Sequence, residues 1–415
     1  MKIKGLYARE ILDSLGNPTI ECVLTLENGV QIKSSVPSGT SVGKYEAFEL
    51  SDGNRGRYLG KGVLKAIENI ETIIKPAIIG KTPNIIEMDH LIIELDGTPN
   101  KSKLGANATL AASIVVTRAQ AMDCGLPLFK FINNAFEVGK LSLPVCMFNV
   151  LNGGVHADNG VSFQEFMIRP KNFKTLCEVI ECAATIYHTL RKILLKDGLN
   201  VGVGHEGGFA PILSTDENKV HCFLNYLNKA IEAAGFSLDS VDICLDVASS
   251  EFFDECKNGY IIDNKFLSSD ELVDLYVSLV NKYPIHSIED GMAEDDWVGW
   301  ETLTQKLGNK IQLVGDDVFV TNIHRIKKGV ELGVANSVLI KPNQIGTVSE
   351  TIQAIKFCKK NNYSTVISHR SGETNDSFIA DLAVGTGAGQ IKAGAPCRGE
   401  RVAKYNRLME IGELF

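Results

Sequence analysis

Along the first ~130 residues, apolar and polar positions alternate in three short runs, 3–12, 19–27 and 30–37, separated by Gly16-Asn17-Pro18 and Glu27-Asn28-Gly29. Period-two alternation bounded by turn residues predicts half-buried strands joined by tight turns. Over 62–74 and 107–124 the apolar spacing changes to three and four residues, which predicts helices. A less regular stretch at 131–141 predicts a boundary between an N-terminal α+β domain at 1–135 and a second domain at 140–415.

From about residue 285, short β-rich runs alternate with helix-length segments. The runs are IHSIED (285–290), IQLVGDD (311–317), SVLIK (337–341), STVISHR (364–370) and QIK (390–392), with helical patterns at 347–360, 376–384 and 401–414. Such alternation predicts parallel strands with crossover helices, an α/β architecture. Each run ends in ionisable groups: Glu289 and Asp290, Asp316 and Asp317, Lys341, His369 and Arg370, Lys392. An earlier run, VDICLD, ends at Asp246. In a β/α barrel the carboxyl ends of the strands form one rim, where active sites sit, so these charges are expected to converge.

Composition narrows the partners. A net charge of −8 and a pI near 5.6 exclude nucleic acid as the main partner, since phosphate-backbone binding needs a basic face. A small anionic substrate would need local cations or metal ions to offset that field. The ten cysteines are scattered without a C-x-x-C pair, which predicts reduced, mostly buried thiols rather than a zinc site or a disulfide framework. The N-terminus is broken by charges, and no apolar run approaches the ~18 residues that span a bilayer. A cytoplasmic protein without a membrane span is expected.

Asp246, Glu289 and Asp316 are 43 and 27 residues apart, about one βα unit per step. Three converging carboxylates without thiol or imidazole ligands make a hard-oxygen site suited to Mg²⁺ or Mn²⁺. Lys341, one strand further on, would then stand beside a metal, where opposing positive charge and partial burial can leave it neutral enough to act as a base. Residues 202–207 fit G-x-G-x-x-G, but Gly208-Phe209-Ala210-Pro211 follows where a dinucleotide site needs a helix.

Seven segments carry a more specific resemblance: PSGTSVGKYEA (37–47), LNGGVHADN (151–159), QEFMIRP (164–170), GHEGGFAP (204–211), SIEDGMAEDDW (287–297), LIKPNQIGT (339–347) and SHRSGET (368–374). In order and spacing they resemble the signature segments of the enolase family. The resemblance implies an N-terminal α+β domain followed by an eightfold α/β (TIM-like) barrel with an irregular ββαα opening. It implies Mg²⁺-dependent, reversible dehydration of 2-phosphoglycerate to phosphoenolpyruvate, with two Mg²⁺ per active site. A lysine base working beside Mg²⁺ is the known pattern of that superfamily and is not independently deduced from spacing.

Carried over residue by residue, Asp246, Glu289 and Asp316 resemble the ligands of the first metal, and Ser41, in a mobile loop, resembles a ligand of the second. Lys341 resembles the base and Glu206 the general acid, supported by Glu165 and Gln164. His156 and His369 resemble substrate-contacting histidines, Arg370 and Ser371 the phosphate clamp, and Lys392 the cation facing the substrate carboxylate. The resemblance also implies a homodimer or higher homo-oligomer. Three positions depart from the family pattern: Leu15 stands where an Arg is usual, Val42 replaces a Thr in the mobile loop, and His205 replaces the Asp before Glu206. They leave two alternatives open: a paralogue acting on a phosphonate or carboxylated analogue, or a non-catalytic binding role.

Overall fold

The computed structural model describes residues 1–40, 43–213, 218–263 and 265–415. Ser41 and Val42 lie outside the described residues. Strands β1 (Ile3–Leu12), β2 (Pro18–Leu26) and β3 (Gln31–Ser35) form an antiparallel meander, as the alternation predicts. The helical pattern at 62–74 runs on to Ile78, but as Leu64–Asn69, a π turn at Ile70–Ile74, and Lys75–Ile78. Pro76 stands one residue beyond that turn; its ring has no N–H to continue an α-ladder and clashes with the carbonyl four residues back.

The helix Ala106–Asp123 is buried on nearly every side, because it is sandwiched between the sheet and the second domain. Its alanine-rich surface allows close approach, and its few polar groups are satisfied across the seam. Ser34 Oγ donates to the Ala111 carbonyl at 2.7 Å, Thr109 Oγ1 to the Gly346 carbonyl at 2.8 Å, and Val348 N to Ser113 Oγ at 2.9 Å. The stretch at 131–141 is not irregular throughout. Its first part belongs to the helix Leu128–Phe136, which buries Phe129, Phe131, Ile132 and Phe136, and only 137–144 lacks regular structure. The apolar spacing there is too short a window to separate helix from loop.

Eight strands then close a barrel: β4 (Val145–Asn152), β5 (Glu165–Pro170), β6 (Val241–Asp246), β7 (Ile285–Glu289), β8 (Gln312–Gly315), β9 (Ser337–Ile340), β10 (Ser364–Ser368) and β11 (Gly389–Lys392). β5 runs antiparallel to both β4 and β6, while every other pair is parallel. Two consecutive helices, Leu176–Lys196 and Lys219–Ala233, separate β5 from β6. This is the α+β domain and ββαα-opening barrel that the resemblance implies.

Inside the barrel, side chains alternate by twos. Met147, Met167, Cys244, Val314, Leu339 and Val366 form an apolar layer of their own. Two residues further toward the rim stand Asn149, Glu165, Asp246, Asp316, Lys341 and Ser368. The period of two therefore puts polar groups on an apolar floor at the mouth.

Among the described residues no helix is long and apolar enough to cross a membrane. All ten cysteines are free thiols, but only five are buried; Cys124, Cys177 and Cys256 are exposed, so "mostly buried" overstates the case. Cys124 and Cys177 lie at the end and on the face of helices and Cys256 in a hairpin turn, which scattered cysteine spacing does not reveal.

Candidate active site

Register builds the first half of the site. Glu165 pairs with Asp246, and Asp246 with Glu289, so three carboxylates lie side by side on adjacent strands. Lys392 reaches them across the mouth: its Nζ lies 2.9 Å from Asp246 Oδ2, 2.9 and 3.0 Å from the Glu289 oxygens, and 3.1 Å from Glu165 Oε2. All four residues are buried. These carboxylates are thus already paired with a cation, the Lys392 ammonium. Burial opposes the Lys392 charge, but Asp246, Glu165 and Glu289 outweigh it and hold its pKa well above the usual lysine range.

Asp316 and Lys341 follow the ends of β8 and β9 and form an ion pair. Burial tends to lower the Lys341 pKa, but Asp316 overrides it, so the lysine stays protonated. Among the protein's own groups the Asp316 carboxylate faces the ammonium directly, and the sequence predicts a neutral base only beside a metal. Gln344 Nε2 donates to Asp316 Oδ1 at 2.9 Å. Asp290 takes no part in the ion pairs: its carboxylate accepts the backbone N–H groups of Asp316 and Asp317, each at 2.8 Å, and so fixes the loop after β8.

The second half is carried by loops. The segment around 204–210 lies along β4, with Phe209 N donating to the Val150 carbonyl and Asn152 N to that of Phe209, each at 2.9 Å. No helix opens there, as the glycine motif's sequence context predicts. The segment delivers Glu206, whose Oε2 accepts from Asn149 Nδ2 and faces His369 Nε2, both at 3.1 Å. His156 Nδ1 stands 3.7 Å from Glu165 Oε1 and 4.0 Å from Glu206 Oε1, and Gln164 Nε2 is 3.5 Å from Asp246 Oδ2.

The electrostatics of the two glutamates diverge. Burial raises both. For Glu165 the neighbouring Glu206 adds to burial, and its pKa rises well above the carboxylate range. For Glu206 the positive side of His369, His156 and Lys392 outweighs burial and holds it well below that range. Among the protein's own groups the negative charge of this pair favours Glu206, which Asn149 and His369 both face at 3.1 Å. Burial holds the His156 pKa near 4 and the His369 pKa near 3, so both rings are neutral at working pH.

Arg370 and Ser371 sit beside the N-terminal domain. Arg370 grips Glu46 with both Nη atoms, at 2.7 and 3.1 Å, in the fork geometry that also suits phosphate. Thr40 N and Oγ1 meet Ser371 Oγ at 2.9 and 2.8 Å, and Ser38 and Gly372 exchange backbone hydrogen bonds. Gly39 is required here, since a Cβ on it would collide with the Arg370 guanidinium. The expected metal ligand Ser41, next to Thr40, is outside the described residues.

The donor chemistry fits a metal. Six carboxylates line the mouth against Lys341, Arg370 and Lys392. Burial, reinforced by neighbouring carboxylates, lifts Glu289, Asp290 and Asp317 well above the usual range, a state that added cations would relieve. Among the described residues two groups bring one ligand atom of each member within 4.8 Å of the others: Asp290, Asp316 and Asp317, and His156, Glu165 and Glu206. Sequence spacing missed Asn149, Glu46, Gln344 and the structural use of Asp290. Strand alternation could have found Asn149, two residues after the inward Met147; nothing local marks Glu46 as the partner of Arg370.

Comparison with known proteins agrees. A family model described as the enolase N-terminal domain matches residues 3–132, and one described as the enolase C-terminal TIM barrel domain matches residues 140–415. The chain is 52% identical over 411 residues to the enolase of a Nitratiruptor species, covering 99% of this chain and 96% of that protein. The chain belongs to the enolase family. As an enolase it is a lyase acting on a small molecule, with its polar cluster at the barrel mouth where this architecture builds active sites.

Proposed function

We propose that this enolase catalyses the Mg²⁺-dependent, reversible dehydration of 2-phosphoglycerate to phosphoenolpyruvate in the cytoplasm. The observation carrying this reading is the inward layer at the strand ends: Glu165, Asp246 and Glu289 in register, Asp316 and Lys341 on the next strands, and Glu206 facing them from its loop. Asp246, Glu289 and Asp316 would hold one Mg²⁺, and Ser41 would join a second. When bound, these ions offset the charge that grows on the substrate carboxylate as the α-proton leaves.

The chain's own groups divide the remaining work. Lys341, once Asp316 is engaged elsewhere, gives one ammonium proton to solvent, and its neutral Nζ then takes the α-proton. Glu206 gives a proton to the departing hydroxyl, which leaves as water. Glu165, whose pKa burial and the neighbouring Glu206 raise, supports it, so the two carboxyls work as one acid. His156 and Gln164 line the substrate's hydroxyl side. Lys392 faces the substrate carboxylate, and Arg370 with Ser371 holds the phosphate, which takes the place of the Glu46 carboxylate in the guanidinium fork.

The direct test is turnover of 2-phosphoglycerate followed by phosphoenolpyruvate absorbance, with and without exhaustive chelation. Activity that disappears on chelation and returns with Mg²⁺ supports the reading. Absence of turnover with Mg²⁺ present, or full turnover after chelation, overturns it.

A further inference from the structure

Arg401 touches none of the proposed reacting atoms, yet it is wholly buried at the start of the helix Gly399–Gly412. Its guanidinium gathers acceptors from two separate stretches of the rim. Nη1 reaches His369 Nδ1 at 2.6 Å and the Arg370 carbonyl at 2.5 Å. Nη2 reaches the Ser371 carbonyl at 2.6 Å and the His205 carbonyl at 3.2 Å. Gly394, at φ +86°, makes the space: a Cβ there would lie 2.8 Å from Arg401 Cδ. One cation therefore anchors the phosphate-clamp turn and the loop bearing Glu206 together.

The contact with His369 has a further consequence that follows from counting protons. A guanidinium carries five N–H donors and no acceptor. The Nδ1 atom it meets must therefore present its lone pair, which leaves the single ring proton on Nε2. That nitrogen lies 3.1 Å from Glu206 Oε2 without hydrogen-bond alignment, so its N–H, and not a lone pair, is the edge turned toward that carboxylate. A doubly protonated ring would set N–H against N–H at Arg401.

We infer that Arg401 is a positioning residue that fixes His369 as its Nε2–H tautomer, so that a donor edge and not a lone pair faces Glu206 and is available to that carboxyl. Burial, aided by Arg401 against the pull of Glu206, keeps the ring neutral, in keeping with this geometry. The tautomer is independent of which group serves as acid; only its kinetic consequence rests on the proposed role of Glu206.

The test is ¹⁵N NMR of the full-length protein labelled at histidine, with His369 assigned by its absence in a His369→Gln variant. The wild-type ring should be Nε2–H at neutral pH; an Nδ1–H or doubly protonated ring overturns the inference without any Arg401 variant, even if such variants fail to fold. Arg401→Met should convert the ring to mixed tautomers and lower kcat by about 10²-fold, the scale of a misplaced reacting group. Arg401→Lys, which keeps a charged donor, should restore the Nε2–H form and much of kcat. A ring that stays Nε2–H in folded Arg401→Met contradicts the inference. A changed tautomer with unchanged kcat upholds it and counts instead against Glu206 as the acid.

Discussion

On one side of the barrel mouth Asp246, Glu289, Asp316, Lys341 and Lys392 stand at the ends of parallel strands. On the other, Glu206, His156 and Gln164 hang on loops around the antiparallel strand β5. Strand register alone brings the first group together, over an apolar layer set two residues deeper. The second group is held by distant hydrogen bonds: Tyr187 OH to the Gly207 carbonyl at 2.8 Å, Ala395 N to the Glu206 carbonyl at 3.0 Å, and Arg401 to the His205 carbonyl at 3.2 Å. A substitution on the strand side should therefore remove chemistry and leave geometry, whereas the loop side should respond to residues far from it.

The strand side should respond most strongly. Asp246→Ala should fold, because Lys392 keeps Glu289 and Glu165 as partners, but it should lose tight Mg²⁺ binding and roughly 10²–10³-fold in turnover. Calorimetric Mg²⁺ titration checks it, and wild-type affinity would mean the ligand set is wrong.

At the seam between domains, Glu46→Gln leaves the Arg370 guanidinium without its buried carboxylate. Removing one partner of a buried pair costs about 3–5 kcal/mol. Thermal unfolding should show that loss, and added inorganic phosphate should stabilise the variant more than the wild type. Equal stability of the two proteins would show that Glu46 does not hold the clamp.

A weaker response is expected at His205. Its half-buried ring lies 5.6 Å from that of His156, outside the lining of the mouth itself. Burial, helped by Arg398 and Arg401 against Glu206, lowers its pKa, so at working pH it brings no positive charge. In His205→Asp a like charge would raise the Glu206 pKa. A group that must be protonated is lost as pH rises through its pKa, so the alkaline limb of kcat should move to higher pH in the variant. Superimposable pH–kcat profiles at saturating Mg²⁺ and substrate would make His205 a packing substitution.

The same contrast governs what could be read beforehand. Period-two runs ending in charge located β6 to β11 and their rim residues closely, because side-chain direction on a strand is set by its neighbours in sequence. The antiparallel β5 and the loop carrying Glu206 were reached only through family resemblance, since their placement depends on partners such as Tyr187 and Ala395, far away in the chain. The ion pairing of Lys341, Glu165 and Glu206 was out of reach for a related reason. It follows from which cation meets which carboxylate across the barrel, and spacing along the chain does not carry that information.

If the base stands on the strand side and the acid on the loop side, the two halves of the reaction should be separable. Exchange of the substrate's α-proton with solvent, followed as deuterium incorporation into 2-phosphoglycerate, reads the first half alone. Lys341→Ala should show neither exchange nor product. Glu206→Gln should exchange the α-proton while forming almost no phosphoenolpyruvate. Equal exchange by both variants, or its loss in Glu206→Gln, would contradict this division of labour.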